Sequence, residues 1–571
     1  MNQFRLFVNK KYAIELGNYR DLYNWSVNEI NHFWEAVWSF GNPVASKEYQ
    51  HVVDDDSKMP GAKWFSGARL NFAENLLPRR DNHTAILSRG EGKEDRQISY
   101  IELYSEVEKM AAALREAGVK QSDRVAGFLP NIPEAVIAML GAASLGAVWS
   151  SSSPDFGIKG VLDRFRQIEP KVLLAADGYQ YNGKRINSLD KLKEILTELP
   201  SVEKVVVVPF ESENPDLSGI NNGVLYGEFL PAEAPPLEFA QLPFDHPLYI
   251  MYSSGTTGLP KSIVHGAGGT LLQHMKELRL HGDITDKEIV FYFTTCGWMM
   301  WNWLVSNLAL GATIVLYDGS PFHPDPSAMW QMAEEFGITV FGTSAKFIAA
   351  CQGYGLVPKD RHNLSLIKTI LSTGSPLVEE SYDYVYTSIK EDVQLSSITG
   401  GTDIISSFAG GNATLPVYRG EIQCRALGMK VESFDDSGKP LINQKGELVC
   451  TRAFPSMPVN FWNDPDGSKF HNAYFSDYPG IWTHGDYIVI NDHGGVIVFG
   501  RSDATLNPAG VRIGTAEIYR VVEAFPEIED SLAVGQQWEG DERVILFVKM
   551  NEGEQFSEKL KQKLINAIRS G

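Results

Sequence analysis

From about residue 84 onward, short apolar runs alternate with amphipathic stretches of helical period, and this alternation restricts the fold more than any other feature of the chain. An apolar run at 84–88 is followed by a helical pattern over 101–117 and a strand at 124–129. A helix at 133–145 then leads to a strand at 147–150. Strands that are apolar on both faces must be covered on both, and intervening helices of this length supply the cover. Further runs at 173–176, 205–208, 313–317, 339–342 and 369–373 extend the series. The pattern predicts an α/β chain, with a large domain of mostly parallel βαβ sheets over 84–502. After about residue 420 short strands and turns predict a β subdomain reaching to about 500. Residues 1–83 read as an accessory segment on the main body, with a helix at 27–40 carrying Phe33, Trp34, Val37 and Trp38. The proline-rich and acidic stretch 229–247 reads as a surface connection. Residues 503–571 read as a small α+β unit, with a helix at 515–524, strands at 531–535 and 543–550, and a helix at 557–568. Two strands and two helices are thin for an independent core, so this unit reads as a truncated C-terminal domain.

Charge narrows the partners. A formal net charge of −20 repels nucleic-acid phosphates at long range, so no nucleic-acid partner is expected. The four cysteines, Cys296, Cys351, Cys424 and Cys450, form no CxxC pair, which fits buried thiols in a reducing compartment. No apolar run reaches the roughly 18 residues that span a bilayer, and no apolar leader follows Met1. The expectation is a cytoplasmic protein with small-molecule substrates and no membrane partner.

The most informative segment is Tyr252-Ser253-Ser254-Gly255-Thr256-Thr257-Gly258-Leu259-Pro260-Lys261, entered directly from an apolar strand. Its glycines let successive backbone N–H groups face one anion, its hydroxyls add donors, and Lys261 adds charge. It is not a Walker loop, which needs glycine immediately before the lysine where this chain has Pro260.

The segment resembles the phosphate loop of the acyl-adenylate-forming superfamily, which includes acyl-CoA synthetases, luciferases and peptide-synthetase adenylation domains. Four further stretches match in the family's order. Ser372-Thr373-Gly374-Ser375-Pro376 resembles the adenine-side loop, and Thr399-Gly400-Gly401-Thr402-Asp403 the motif that holds nucleotide and Mg²⁺. Trp482-Thr483-His484-Gly485-Asp486 resembles the ribose-binding motif. Gly500-Arg501-Ser502-Asp503, with Asn507-Pro508-Ala509-Gly510-Val511-Arg512 after it, resembles the hinge and the start of the C-terminal domain.

The resemblance implies an acid–thiol ligase using ATP, Mg²⁺ and CoA. A carboxylate attacks the α-phosphorus of ATP, and CoA then displaces AMP. Thr256 and its neighbours would cradle the β- and γ-phosphates, Thr402 would contact the α-phosphate, and Asp403 would bind Mg²⁺. Asp486 would accept the ribose hydroxyls beside Arg501, and Asp503 would be the hinge. Gly510 and Arg512 would line the thiol's approach, Arg512 towards the nucleotide, and Lys184 and Arg185 would meet the CoA 3′-phosphate. Trp298, Met299, Met300, Thr373 and Gly400 would form the acyl pocket. Nothing matches the family's C-terminal Gly-Lys motif, so adenylation by this chain is expected to be poor.

Acetate-activating relatives close the acyl pocket with tryptophan where this chain has Gly400, which implies roughly 100 Å³ or more of freed space and an acid longer than acetate, unless other groups, with 296–303 as candidates, refill it. The wording of 64–75, 151–157 and 297–303 resembles acetoacetyl-CoA synthetases. For a β-keto acid, His265, Asn302 and Thr373 are the candidate donors to the ketone. Another short acid such as butyrate, or an impaired nucleotide-binding domain, remains an alternative.

Overall fold

The apolar runs become the strands of two mostly parallel sheets. The computed structural model describes residues 1–253, 259–503, 505–511, 513–522, 524–551 and 554–570. One sheet has seven strands, in the order Gln394–Ser397, Thr369–Thr373, Val340–Ser344, Ile289–Tyr292, Thr313–Asp318, Thr84–Gly90 and Arg96–Ser99. All its neighbours are parallel except the last pair. The other has eight, in the order Gly223–Leu225, Lys204–Val208, Val172–Ala176, Arg124–Phe128, Val148–Ser152, Pro247–Ser253, Lys261–Gly266 and Asn460–Phe461. Its first six strands run parallel, and its last two pairings are antiparallel.

The helix Pro133–Ser144 is buried at every position. A helix apolar on all sides has no face to give to water. Its core cluster takes Val125 and Trp149 from one sheet and Ile86 and Ile314 from the other, so the two sheets share one interior. The helix Tyr100–Glu116 starts on a capping box, in which Ser99 and Glu102 exchange hydrogen bonds.

The β subdomain is a five-stranded antiparallel sheet, Pro440–Leu441, Val431–Phe434, Gly446–Cys450, Trp482–Ile490 and Val496–Arg501. The single helix expected at 27–40 is instead two helices, Tyr19–Asn28 and Ile30–Gly41, broken where Glu29 leaves helical geometry at φ −106°, ψ 54°. Phe33, Trp34, Val37 and Trp38 are buried as expected, in the main core. After residue 503, the helix Thr515–Val522, the hairpin Ile528–Trp538/Asp541–Met550 and the helix Glu558–Ser570 enclose a small core of Val522, Ile528, Leu560 and Leu564. All four cysteines are buried free thiols. Among the described residues no helix is long and apolar enough to cross a membrane.

Candidate active site

The loops that carry the motifs leave the C-terminal ends of parallel strands, where open α/β sheets bind ligands. Thr373 ends one strand of the seven-stranded sheet and Ser397 ends its neighbour. Between them and the β subdomain lies a cavity of about 180 Å³. Thr373, Gly374, Ser375 and Pro376 line one side, and Thr399, Gly400, Gly401 and Thr402 another. Trp298, Met299 and Met300 close one end, while Asp486, Arg501 and Gly510 reach it from later in the chain. Residues spread over more than 200 positions therefore meet in one space. Ser254, Gly255, Thr256, Thr257, Gly258 and Arg512 lie outside the described residues.

Asp486 and Arg501 face each other across an antiparallel pair, with guanidinium Nη1 3.3 Å from Oδ1. Arg501 also binds Asp503, through Nε at 3.1 Å and through Nη2. Burial works against the Arg501 charge, but Asp486 and Asp503 outweigh it and raise its pKa. Burial likewise opposes charge on Asp503, and the Arg501 pairing still holds that carboxyl below its usual range. Gly485 is required here: its φ is +82°, and a Cβ would meet Arg501 Nη2 at 2.5 Å. Downstream, Asn507 donates to the Gly374 carbonyl at 3.0 Å, and a Cβ on Gly510 would stand 3.0 Å from the Gly374 carbonyl carbon. Backbone thus meets backbone where the 505–511 segment covers the adenine-side loop.

Asp403 sits at the base of the phosphate loop, 2% exposed. Its Oδ1 accepts from Tyr474 Oη at 2.6 Å, Lys261 Nζ at 2.7 Å and Ser253 Oγ at 3.3 Å. Tyr474 is stacked on Trp482 with ring centroids 3.8 Å apart. A divalent cation at this oxygen would lie against the Lys261 ammonium, and like charges so close repel strongly. Among the described residues no group of three or more His, Cys, Asp or Glu side chains is placed to hold a metal ion. Oδ1 is taken up by three donors, the Lys261 ammonium among them, and no step is assigned to the ion.

At the acyl end one expectation is corrected. Gly400 does not leave open space: a Cβ there would meet the Ser406 carbonyl oxygen at 2.2 Å and Ser407 Cα at 2.6 Å. The strand Ser406–Gly410 folds back against Thr399–Gly401, and its backbone occupies the place a Cβ would take. Two of the three expected ketone donors are also committed elsewhere. Thr373 donates its hydroxyl to the Ile398 carbonyl at 2.9 Å. His265 places Nε2 2.8 Å from the Thr402 carbonyl, which only accepts, so Nε2 carries the proton. Its Nδ1 is then an acceptor, buried with no donor among the described residues. Burial holds the imidazole neutral, with its pKa lowered to about 4. Asn302 lines a separate space of about 10 Å³. Among the wall residues that sequence reasoning missed are Ser406, Ile422, Val496 and Val498; isolated positions of this kind carry no motif.

Lys184 and Arg185 do not reach the cavity. They are exposed on the hairpin Gly178–Tyr181/Lys184–Asn187, with Arg185 Nε 3.6 Å from Glu211. The hairpin's tip is held by Glu91, which accepts the N–H groups of Asn182 and Gly183 and, at 2.8 Å, of Ser320. Nearby, at the end of its strand, Asp318 is pushed up to about 7 by burial, despite the Asn131 N–H at 3.3 Å, with Asp155, Glu91 and Glu211 adding repulsion. A larger cavity of about 860 Å³ lies between the helix Ile158–Ile168 and the C-terminal unit. Its walls are mainly aliphatic, and of the five nucleotide motifs it touches only the first, at Pro260, so it is not the reaction centre.

Comparison with known proteins agrees with this geometry. Residues 73–455 match the family described as AMP-binding enzyme, and residues 19–76 match acetyl-coenzyme A synthetase N-terminus. An acetoacetyl-CoA synthetase of Gallus gallus is 53% identical over 580 residues, covering 100% of this chain and 87% of that protein. A malonamoyl-CoA synthetase of Penicillium aethiopicum is 42% identical, covering 98% of this chain and 81% of that protein. The structure of an acetoacetyl-CoA synthetase from Streptomyces lividans superposes with a TM-score of 0.85 at 44% identity, covering 99% of this chain and 87% of that one. With a family match over most of its length and relatives this similar, the chain belongs to the AMP-binding enzyme family.

Proposed function

We propose that this chain is an AMP-forming acid–CoA ligase that converts acetoacetate, ATP and CoA to acetoacetyl-CoA, AMP and pyrophosphate through an acyl-adenylate. The observation that carries the reading is the single cavity that joins Asp486, Arg501 and the 374–376 loop to Met299, Met300 and Gly400. Its lining joins nucleotide-side and acyl-side residues in one space, as an acyl-adenylate intermediate requires. Relatives named as acetoacetyl-CoA synthetases supply the choice of acid.

In the first half-reaction a carboxylate oxygen bonds to the α-phosphorus and pyrophosphate leaves. Negative charge spreads over phosphate oxygens, so fixed donors matter more than an acid–base pair. Thr402 stands at the α-phosphate, and the His265 Nε2–H on its carbonyl fixes the peptide that carries its hydroxyl. An incoming triphosphate competes with Asp403 for the Lys261 ammonium. Asp486 takes the ribose hydroxyls, oriented by Arg501. In the second half-reaction the thiol bonds to the acyl carbon and AMP departs. Asp503, tied to Arg501, is the hinge about which the 505–511 cover moves. Lys184 and Arg185 meet the CoA 3′-phosphate from their exposed hairpin. The four buried thiols fit a reducing compartment, and we place the enzyme in the cytoplasm.

The test is calorimetric titration with non-hydrolysable acyl-sulfamoyl adenosines carrying acetyl, butyryl, acetoacetyl and malonamoyl groups. The acetoacetyl form is expected to bind tightest. Tightest binding of the malonamoyl form would move the substrate to a β-amido acid, the reading favoured by the Penicillium relative. Tightest binding of the acetyl form refutes the substrate, and no binding at all refutes the adenylating function.

A further inference from the structure

The helix Ala267–Lys276 is buried at every position and continues into a wide-turn segment, Glu277–His281. Burial on all sides calls for apolar residues, yet this element holds Gln273, His274, Lys276, Glu277 and His281, each under 8% exposed. Desolvating so many polar groups is costly unless each is paired. Their partners converge on one target. Gln273, Glu277 and His281 recur every four residues and so lie along one face. That face meets positions 405–411 of the hairpin built on Thr399–Gly401 and Ser406–Gly410. Gln273 Nε2 donates to Ser406 Oγ. Glu277 Oε1 accepts the Ser406 hydroxyl at 2.5 Å and the Ser407 N–H at 2.9 Å. His274 Nε2 donates to the Ile405 carbonyl at 2.8 Å, and His281 Nδ1 to the Gly411 carbonyl at 2.9 Å. Lys276 Nζ lies 3.9 Å from Glu277 and donates to the Leu427 carbonyl.

The same hairpin is the floor of the acyl end. Ser406 lines the cavity, and its carbonyl lies beneath Gly400 at a distance that admits no Cβ. We propose that Glu277, with Gln273, is the positioning group that sets the depth of the acyl pocket, by pinning Ser406 and Ser407 against Gly400. Glu277 does not line the cavity. It acts through two hydrogen bonds on the strand whose backbone replaces a pocket-closing side chain. This makes the acyl selectivity a property of hairpin position, held from behind by a buried carboxylate. The inference rests on the ligase reading above.

The experiment compares wild type, Ser406→Ala and Glu277→Gln by titration with AMP and with the acetoacetyl- and acetyl-sulfamoyl adenosines. Ser406→Ala removes one hydroxyl and no bulk, so it keeps the test alive where Glu277→Gln fails to fold. The expected result is a loss of about tenfold in affinity for the acetoacetyl probe, a narrowed preference over the acetyl probe, and AMP affinity within about twofold of wild type. A merely structural role moves AMP and acyl probes together, and that outcome, or no change in either, overturns the proposal. Failure of wild type to bind any acyl probe takes down the ligase reading, and this inference with it.

Discussion

At Gly400 a missing side chain carries two opposite meanings, and the choice between them lies outside the motif. Five motifs written in order point to nucleotide residues, and those of them that are described, such as Gly374, Thr399, Asp486 and Arg501, meet around one cavity, because phosphate and ribose chemistry demands particular side chains at particular spacings. A glycine states only that no Cβ is tolerated, and here the reason is the Ser406 backbone 2.2 Å away. Two of the ketone-donor candidates, Thr373 and His265, are committed for a related reason: hydrogen bonds such as Thr373 to Ile398 depend on tertiary placement that spacing does not encode. Gly400→Ala is therefore expected to destabilise the protein by about 1–3 kcal/mol through overpacking against backbone. Urea unfolding checks this. An unchanged midpoint means the hairpin yields freely, and the close approach is then not what holds glycine there.

Elements of strong period were read correctly from their own residues. The parallel strands announce themselves as runs such as Val172–Ala176, buried at all five positions, because a central strand has no wet face. The error at 27–40 came from reading aromatic period across a break: Asn18 caps a new helix through Asp21 N–H, and Glu29 interrupts before Ile30. The buried helix Ala267–Lys276 carries polar residues whose role is set by their partners rather than by spacing. Where local chemistry alone decides, energies are simple to forecast. Ser99→Ala removes half of the capping box that opens Tyr100–Glu116 and should cost about 1 kcal/mol, measured by chemical denaturation. A loss below a few tenths would mean that tertiary packing, not the cap, fixes this helix end.

Across the whole molecule, buried neutral imidazoles tie stability to pH. His265 has its pKa lowered to about 4 by burial, and His246, His274 and His281 are displaced in the same direction for the same first reason. Above the unfolded value near 6.5 neither state binds these protons, so pH has no effect through them. Between about 6.5 and 4 the unfolded chain takes them up and the folded chain does not, so stability falls as pH falls. His265 alone should account for about 2 kcal/mol between pH 7 and pH 5. Asp503, displaced downwards, has the stability of its pairing in full above the unfolded carboxylate range and loses it only at lower pH, as the folded pKa is crossed. Urea midpoints at pH 7 and pH 5 test the prediction, and equal midpoints would contradict it.

The carboxyl of Asp318, titrating near 7 behind the Lys184–Arg185 hairpin, bears on how any of these measurements is made. Close to neutrality the population divides between molecules that hold that proton and molecules that do not. A ligand that brings charge to the hairpin, or dries the space around Tyr179 and Asp155, shifts the division and so exchanges a fraction of a proton with the medium. Heats recorded in Tris and in phosphate will then differ, since the two buffers ionise with different enthalpies. The difference, divided by the gap in those enthalpies, counts the protons moved per ligand bound.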